Sequence, residues 1–188
     1  MANFTQHTAE TAPAGGAEVL ARAEKTFGMV PNIIATMAEA PTVAESYLDL
    51  HERFGASSFS PTEQQVVTLT ASFENGCAYC MAAESAGSKM GGIDDAVIEA
   101  LREGTPLPDE RLEALRSFTR SVVEERGWVG EETIDAFLAA GFTKAQIFEV
   151  VLGVTKKTLS NYFNHLAGTP VDEPFQPFAW TRPEAAAV

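Results

Sequence analysis

The chain has 188 residues, of which 45% are apolar, and its 26 acidic against 13 basic side chains give a formal net charge of −13. This length and apolar fraction suit one folded domain or two small ones, whereas the acidity argues against binding to nucleic acid or to an anionic membrane surface. Two cysteines are too few for a disulfide-stapled secreted scaffold, and the sequence shows neither a membrane-spanning run nor a secretory signal. We therefore expect a cytoplasmic protein that binds neither nucleic acid nor membranes.

Apolar residues recur at helical spacing and not in strand-like alternation, which predicts an all-α fold of about eight or nine helices. Prolines and capping residues open these segments, and glycines close them. In chain order the predicted helices are Gly16–Phe27, Pro31–Ala38, Pro41–Phe54, Pro61–Glu74, Cys77–Met90, Asp94–Arg102, Asp109–Glu125, Glu131–Ala140 and Lys144–Leu166.

The two ends of the chain differ in composition from this helical part. Residues 1–15 are rich in Thr, Ala, Pro and Gly and are predicted to form a flexible N-terminal arm. Residues 169–188 combine prolines with aromatic residues, and we expect an extended C-terminal tail that lies over a surface of this chain or of a neighbouring subunit. The predicted helical domain spans residues 16–168.

Two glutamates near the middle of the chain have structural and catalytic interpretations. Residues 60–63 (SPTE) have the pattern of a capping box, in which Ser60 accepts from a backbone N–H and Glu63 reaches back to the cap. Capping is therefore the first interpretation of Glu63, with a catalytic role as the alternative. Glu74, three residues before the first cysteine, is predicted to be solvated, again with a catalytic role as the alternative.

The most informative feature is Cys77 and Cys80, followed by Glu84. Positions i, i+3 and i+7 share one face of a helix, so two sulfurs and a carboxylate are expected along a single stripe. The predicted helix starts near Cys77, and the unpaired N–H groups of a first turn favour a thiolate. A second thiol at this spacing can reach the first one after oxidation, which indicates an attacking and a resolving cysteine.

Other interpretations of the cysteine pair remain open. Zinc takes four ligands, and the remaining donors His7, His51 and His165 have no paired spacing, so we expect no metal site. Two small buried cysteines without any chemistry are the second alternative. A thioredoxin-like site would need a βαβ pattern, which this sequence lacks.

Residues 60–67 (SPTEQQVV) and 74–83 (ENGCAYCMAA) resemble the alkylhydroperoxidase D-like (AhpD-like) group of the carboxymuconolactone decarboxylase superfamily. Residues 157–165 (KTLSNYFNH) and 169–170 (TP) resemble its peroxidase-related branch, so the resemblance covers about residues 20–178. It implies an AhpD-like helical domain, homo-oligomers and cysteine-based reduction of hydroperoxides without a cofactor. It also implies that Cys80 attacks the peroxide, that Cys77 resolves the sulfenic acid as a disulfide, and that a dithiol or a lipoylated protein is the reductant.

Two positions depart from the pattern of this group, whose proton relay usually has a glutamate twelve residues before the first cysteine and a histidine four residues after the second. This chain has Gln65 and Glu84 there. One interpretation is a rewired site, in which Gln65 donates a hydrogen bond to Glu84 and Glu84 is the base for Cys80. Because a carboxylate is a weak base for a thiol, burial would have to raise its pKa. The other interpretation is a broken relay, with low activity or a different reaction.

A late histidine offers another way to complete the site. His165 follows a polar cluster near the end of the last helix, where a histidine commonly serves as a C-terminal charge or hydrogen-bond partner. The alternative is that His165 reaches the cysteines and supplies the missing imidazole.

The sequence therefore predicts a thiol-dependent peroxidase. A second hypothesis is an acid–base enzyme that acts on a lactone-like substrate, as the superfamily name suggests, and this chemistry needs no cysteine pair. A third is a non-enzymatic, redox-responsive oligomeric protein in which the two cysteines form a regulatory disulfide.

Overall fold

The computed structural model of the protein describes residues 4–183. Within that range the chain forms nine α-helices, one 3-10 helix and no strand, which confirms the all-α prediction. The helices are α1 (Gly16–Phe27), α2 (Asn32–Met37), α3 (Pro41–Gly55), α4 (Pro61–Glu74), α5 (Ala78–Met90), α6 (Asp95–Glu103), α7 (Glu110–Glu124), α8 (Glu131–Ala139) and α9 (Lys144–Ala167), and the 3-10 helix is Glu173–Phe178.

The predicted capping box opens α4. The Glu63 N–H donates to Ser60 Oγ at 3.3 Å, and the Ser60 N–H donates to the Glu63 carboxylate at 2.7 Å. The same carboxylate forms an ion pair with Arg111 at the start of α7. Capping is thus confirmed as the structural role of Glu63, and its charge also helps to join two helices.

Buried apolar side chains form two clusters on either side of α9. One fills the space between α4, α6, α7 and α8, and includes Leu69, Leu115 and Phe118. The other lies between α1, α2, α3 and the start of α5, and it contains Cys77 and Cys80. Helix α9 packs against α3, α4, α5 and α7 and, like α3 and α5, it contributes side chains to both clusters.

Two glycines help to place the cysteines, one by allowing close packing of α9 and the other by allowing a turn before α5. A Cβ atom at Gly153 of α9 would lie 2.7 Å from both Phe54 and Val67, so only glycine lets α9 pack this closely on α3 and α4. Gly76 has a φ of 68°, in the left-handed region that glycine adopts without strain. The turn at Gly76 separates α4 from α5 and leaves Cys77 as the N-cap residue of α5.

The described part of the predicted N-terminal arm, residues 4–15, is hydrogen-bonded to the region of α2. The His7 backbone N–H donates to the Ala35 carbonyl at 2.9 Å, and the His7 ring nitrogen Nε2 lies 2.7 Å from the Glu39 carboxylate. Residues 1–3 of the arm and residues 184–188 of the predicted tail lie outside the described residues.

The tail is not extended throughout, since Glu173–Phe178 form the 3-10 helix and pack against α5. The reason is a buried anchor immediately before this helix. The Asp172 carboxylate accepts from the Tyr79 hydroxyl at 2.6 Å and from the Asn32 N–H at 2.9 Å. One tail side chain thereby joins the start of α2 to the tyrosine that lies between the two cysteines.

No single helix among residues 4–183 is both long and apolar enough to cross a membrane. Only α8 and α9 taken together reach that length and composition, and they are bent by 111° where they meet.

We predict that Tyr79→Phe lowers the free energy of unfolding by about 1–3 kcal/mol, because the buried Asp172 carboxylate loses one of its two donors. Urea denaturation followed by circular dichroism measures this change. Glu173→Gln, at an exposed carboxylate of the same tail, is the control and should change the stability by less than about 0.5 kcal/mol. Equal effects of the two substitutions would contradict the anchoring role of Asp172.

Candidate active site

The two cysteines lie at the start of α5 with reduced side chains, and both are almost completely buried. Cys77 is 1% exposed and Cys80 is 3% exposed. Cys77 is the N-cap residue, and Cys80 lies in the first turn, where the free N–H groups of the helix favour a negative sulfur. The cysteine pair is therefore at the helix start that the sequence predicts.

Cys80 lines a cavity of about 350 Å³ that Cys77 does not reach. Most of its wall is apolar or aromatic and comes from the regions of α1, α2, α3 and α5. Pro174 and Phe175 of the 3-10 helix form part of the same wall. The polar side chains that share the cavity with Cys80 are Tyr47, His51, Gln65, Tyr79, Glu84 and Lys157.

The Glu84 carboxylate near Cys80 forms ion pairs with two lysines of α9. Lys157 Nζ donates to the Glu84 carboxylate at 2.8 Å, and Lys156 Nζ lies 3.6 Å from the same oxygen. The Lys157 side chain is 1% exposed and the Lys156 side chain is 5% exposed. Burial by itself raises the pKa of Glu84, but the two ammonium groups outweigh burial and hold this pKa well below its usual range.

This pairing argues against Glu84 as the base that the sequence interpretation assigns to it. That role needs a carboxylate whose pKa is raised, whereas Lys156 and Lys157 shift the pKa of Glu84 downward. The hydrogen bond expected from Gln65 is also not formed. Gln65 Oε1 instead accepts from the Ser88 hydroxyl at 3.0 Å and from the Thr68 hydroxyl at 3.2 Å.

The charge of Lys157 acts on Cys80 as well as on Glu84. Burial alone raises the pKa of the Cys80 thiol, but the hydrogen bond from Cys77 and the Lys157 charge outweigh burial and lower this pKa. The hydrogen bond to Cys80, together with burial, raises the pKa of Cys77. Cys80 is thus the sulfur that ionises, while Cys77 keeps its proton and donates it in a hydrogen bond.

The cluster contains two buried lysines but only one carboxylate. Burial lowers the pKa of Lys156, whereas the charges of Cys80 and Glu84 outweigh burial and raise the pKa of Lys157. Buried charges are costly unless they are balanced. A Cys80 thiolate and the Glu84 carboxylate therefore both stabilise the charged form of Lys157.

The remaining contacts of the sulfurs come from the next two turns of α9. Ser160 Oγ lies 3.7 Å from Cys80 Sγ. The Asn164 amide nitrogen lies 3.4 Å from Cys80 Sγ and 3.9 Å from Cys77 Sγ. One helix face thus carries the lysine, the hydroxyl and the amide that surround the cysteine pair.

His165 and Glu74 do not join the cysteines. His165 is exposed and lies beside Tyr162, because it is the neighbour Asn164 that faces inward from α9. The Glu74 side chain is only 6% exposed, so its predicted solvation is wrong. Its carboxylate lies 3.6 Å from Arg120 and from Arg182, which provide the compensating charges, and burial raises its pKa.

Sequence reasoning missed Lys156, Lys157, Asn164, Tyr47 and His51 as parts of the site. Burial, with the charges of Lys156 and Lys157, lowers the pKa of His51 to about 4, so its imidazole is neutral at neutral pH. Burial also raises the pKa of Tyr47, which keeps its proton. The sequence signal for the missed residues of α9 is a run of polar residues at helical spacing on its inner face. Polar residues on a buried face need buried partners, which indicates a polar site.

Within residues 4–183, the His, Cys, Asp and Glu side chains form no group of three or more that is arranged to hold a metal ion.

Residues 41–120 match the family model described as the carboxymuconolactone decarboxylase family. The fold is similar to that of the alkylhydroperoxidase AhpD core, an uncharacterized peroxidase-related protein from Ralstonia eutropha JMP134, with a TM-score of 0.80, 19% identity, and coverage of 92% of this chain and 93% of the other. The described residues 4–183 thus have the fold of the AhpD core, and residues 41–120 resemble the carboxymuconolactone decarboxylase family.

Two further structures share this fold. One is a peroxidase-related protein from Silicibacter sp. TM1040, with a TM-score of 0.77, 17% identity, and coverage of 93% of this chain and 92% of the other. The other is the debrominase Bmp8 in its apo form, with a TM-score of 0.78, 18% identity, and coverage of 93% and 95%. At these identities the likeness establishes the fold alone. No curated protein sequence matches the chain.

The two interpretations of Glu84 predict opposite effects of Glu84→Gln. Because the Glu84 charge opposes the Cys80 thiolate, we expect its removal to lower the midpoint pH of Cys80 alkylation by about one unit. Alkylation by iodoacetamide across pH, with the modified cysteine assigned by mass spectrometry, measures this midpoint. Glu74→Gln, at a buried carboxylate away from the cavity, is the matched control. Slower alkylation at neutral pH in Glu84→Gln would instead support Glu84 as the base.

Proposed function

We propose that this protein is a thiol-dependent peroxidase, in which Cys80 attacks a hydroperoxide and Cys77 resolves the oxidised sulfur. The observation that carries this proposal is the position of Cys80. Its sulfur lines a cavity of about 350 Å³, and Asn164 Nδ2 lies within 4 Å of both this sulfur and that of Cys77. Nucleophile and resolving thiol are therefore close neighbours before a substrate arrives.

The reaction balances with these two thiols alone. The Cys80 thiolate attacks the terminal oxygen of the hydroperoxide, the O–O bond breaks, and Cys80 becomes a sulfenic acid. The leaving alkoxide takes up a proton equivalent to the one that Cys80 lost on ionisation. Cys77 then attacks the Cys80 sulfur, the S–O bond breaks, and the hydroxide leaves with the Cys77 proton as water. The dithiol supplies both electrons and ends as a disulfide.

The residues around Cys80 have distinct roles in this proposal. Lys157 stabilises the thiolate by its charge, and Glu84 holds the Lys157 ammonium group in place. Tyr47 and the neutral His51 provide polar groups that can hydrogen-bond the peroxide oxygens within the apolar cavity. Gln65 is bound to Ser88 and is assigned a structural role in the cavity wall.

Another turnover requires a reductant that supplies two electrons to the Cys77–Cys80 disulfide. We propose a dithiol, with a lipoylated protein as one form of it, and a cytoplasmic location in which such reductants keep thiols reduced. The buried sulfurs become accessible to a dithiol only through the cavity or by movement of its walls.

Reductive removal of a halogen is a second candidate function, favoured by the aromatic character of the cavity. The debrominase Bmp8 has a similar fold, and a variant with one cysteine replaced by alanine forms a complex with 2,3,4-tribromopyrrole (TM-score 0.79, 17% identity, coverage of 95% and 96%). In this reaction the Cys80 thiolate takes the halogen, the ring carbon gains a proton, and Cys77 displaces halide to form the disulfide. Release of bromide from a bromopyrrole without peroxide consumption would select this candidate.

The two other hypotheses from the sequence have less support. An acid–base enzyme would need a free carboxylate or imidazole at the cavity. Glu84 is bound to two lysines and the exposed His165 lies elsewhere, which leaves the neutral imidazole of His51, a weak base because its pKa is lowered to about 4. A purely redox-responsive protein would oxidise its cysteines once per reductant cycle and would show no steady-state consumption of peroxide.

Self-association is a further part of the proposal and is supported by an exposed apolar stripe along α9. Phe148, Val151, Tyr162 and Leu166 are 75%, 44%, 57% and 80% exposed. They lie on one side of the helix, next to a groove of about 740 Å³ between α7 and α9. Exposed apolar surface of this kind commonly marks a protein interface, so we propose that a second copy covers it.

We predict that Cys80→Ser abolishes steady-state hydroperoxide consumption in the presence of a dithiol, because it removes the nucleophile. Cys77→Ser, the matched control, should still be oxidised once at Cys80 but should not form the internal disulfide. A coupled assay of peroxide loss, with mass spectrometry of Cys80, measures both outcomes. Consumption of hydroperoxide by the Cys80→Ser variant at the wild-type rate would contradict the proposed mechanism.

We also predict that Tyr162→Asp combined with Leu166→Asp reduces the mass in solution toward the monomer mass of 20.1 kDa, because charged groups would be buried at the interface. Light scattering after size-exclusion chromatography measures the mass. Met90→Asp, at a residue that is 87% exposed on α5, is the control and should leave the mass unchanged. A monomeric wild-type protein would contradict the proposed interface.

A further inference from the structure

Asn164 is the only side chain among residues 4–183 with a hydrogen-bonding group within 4 Å of both sulfurs. Its Nδ2 lies 3.4 Å from Cys80 Sγ and 3.9 Å from Cys77 Sγ. Asn164 is 6% exposed and extends from the inner face of α9 toward the start of α5. An uncharged amide can hold a sulfur anion without gaining or losing a proton itself.

The carbonyl oxygen of this amide has no hydrogen-bond donor. Asn164 Oδ1 is buried and accepts no hydrogen bond from any of the described residues 4–183. A buried acceptor without a donor costs free energy of about 1–3 kcal/mol.

Oxidation of Cys80 creates the donor that is missing. A thiolate has no hydrogen to donate, whereas a sulfenic acid carries an O–H group on the same sulfur. This O–H forms beside the Asn164 amide, which already contacts the sulfur. The unsatisfied carbonyl therefore matches a group that exists only in the intermediate of the cycle.

We propose that Asn164 is a positioning residue for both steps at the sulfur pair, an inference that rests on the proposed peroxidase cycle. Its N–H donates to the Cys80 thiolate before oxidation, and its Oδ1 accepts the O–H of the Cys80 sulfenic acid afterwards. This contact holds the oxidised sulfur beside Cys77. Cys77 then forms the S–S bond, the S–O bond breaks, and water leaves.

Asn161, one turn earlier on the same buried face, provides a matched control. Asn161 Oδ1 accepts from Asn75 Nδ2 at 2.9 Å, and its own Nδ2 is buried without a partner, but neither atom contacts a sulfur. Replacing Asn161 therefore removes a similar buried amide at a similar depth and leaves the sulfur contacts intact.

The experiment compares Asn164→Leu and Asn164→Ala with Asn161→Leu. Leucine keeps the branched shape of asparagine, at a larger volume, without its polar atoms, and alanine provides a second, smaller variant in case the first does not fold. For both Asn164 variants we expect the midpoint pH of Cys80 alkylation to rise by about one unit, since a hydrogen bond to a charged group is lost. The Asn161 variant should keep the wild-type midpoint.

A single addition of stoichiometric hydrogen peroxide then tests the second step. We expect disulfide formation to slow by about tenfold in the Asn164 variants, with Cys80 trapped by dimedone to a correspondingly greater extent. An unchanged midpoint, or dimedone trapping equal to that of Asn161→Leu, would overturn the proposal even if the Asn164 variants unfold more easily.

These readouts do not depend on turnover. Absence of steady-state peroxide consumption by the wild-type protein would refute the proposed function, whereas alkylation and a single oxidation would still report whether Asn164 acts on the sulfurs.

Discussion

The structure of the site depends on a buried charge balance between α5 and α9. Lys156 and Lys157 are buried side by side on α9, and Glu84 is the one carboxylate that pairs with them. Because an uncompensated buried charge is costly, a second anion close to Lys157 is stabilised. The sulfur of Cys80 is in the position to be that anion, and its pKa is lowered accordingly. The ion pairs therefore hold α5 and α9 together and also determine which of the two thiols ionises.

In the proposed peroxidase, this arrangement stabilises a Cys80 thiolate without the glutamate and histidine that the resembled group uses as a relay. A carboxylate and a histidine would act by moving a proton, and their pKa values would have to match that of the thiol. A lysine that stays protonated stabilises the thiolate by its electric charge alone, so its pKa need not match that of the thiol. Glu84 then changes role, since in place of accepting a proton from Cys80 it positions the Lys157 ammonium group.

Other parts of the chain shape the surroundings of this charge cluster. The tail contributes Pro174 and Phe175 to the cavity, and Asp172 fixes that segment to Tyr79. Because Tyr79 lies between the two cysteines, the Asp172–Tyr79 hydrogen bond joins this part of the cavity wall to the turn of α5 that carries Cys80. Gly153 allows α9 to pack closely enough for its inner face to reach the sulfurs.

The features that depend on local patterns follow from the sequence alone. Helical periodicity and capping residues predicted the nine α-helices to within a few residues, since both act over one or two turns. The spacing of Cys77 and Cys80 at the start of α5 is local in the same way, and so is the cap formed by Glu63. The resemblance carried by four short segments, residues 60–67, 74–83, 157–165 and 169–170, likewise predicts the AhpD-like fold.

The partners of each side chain were decided only by the tertiary structure. Lys157 and Glu84 are 73 residues apart, and Asn164 lies 84 residues after Cys80, so no local pattern brings them together. His165 and Asn164 are adjacent in sequence, yet about 100° of helix rotation separates their side chains, and the packing of α9 determines which of them faces the cysteines. The sequence by itself therefore determined the helices and the pair of thiols. The environment that makes one of those thiols acidic exists only after α5 and α9 have packed, because electrostatic effects on a pKa depend on distance and burial.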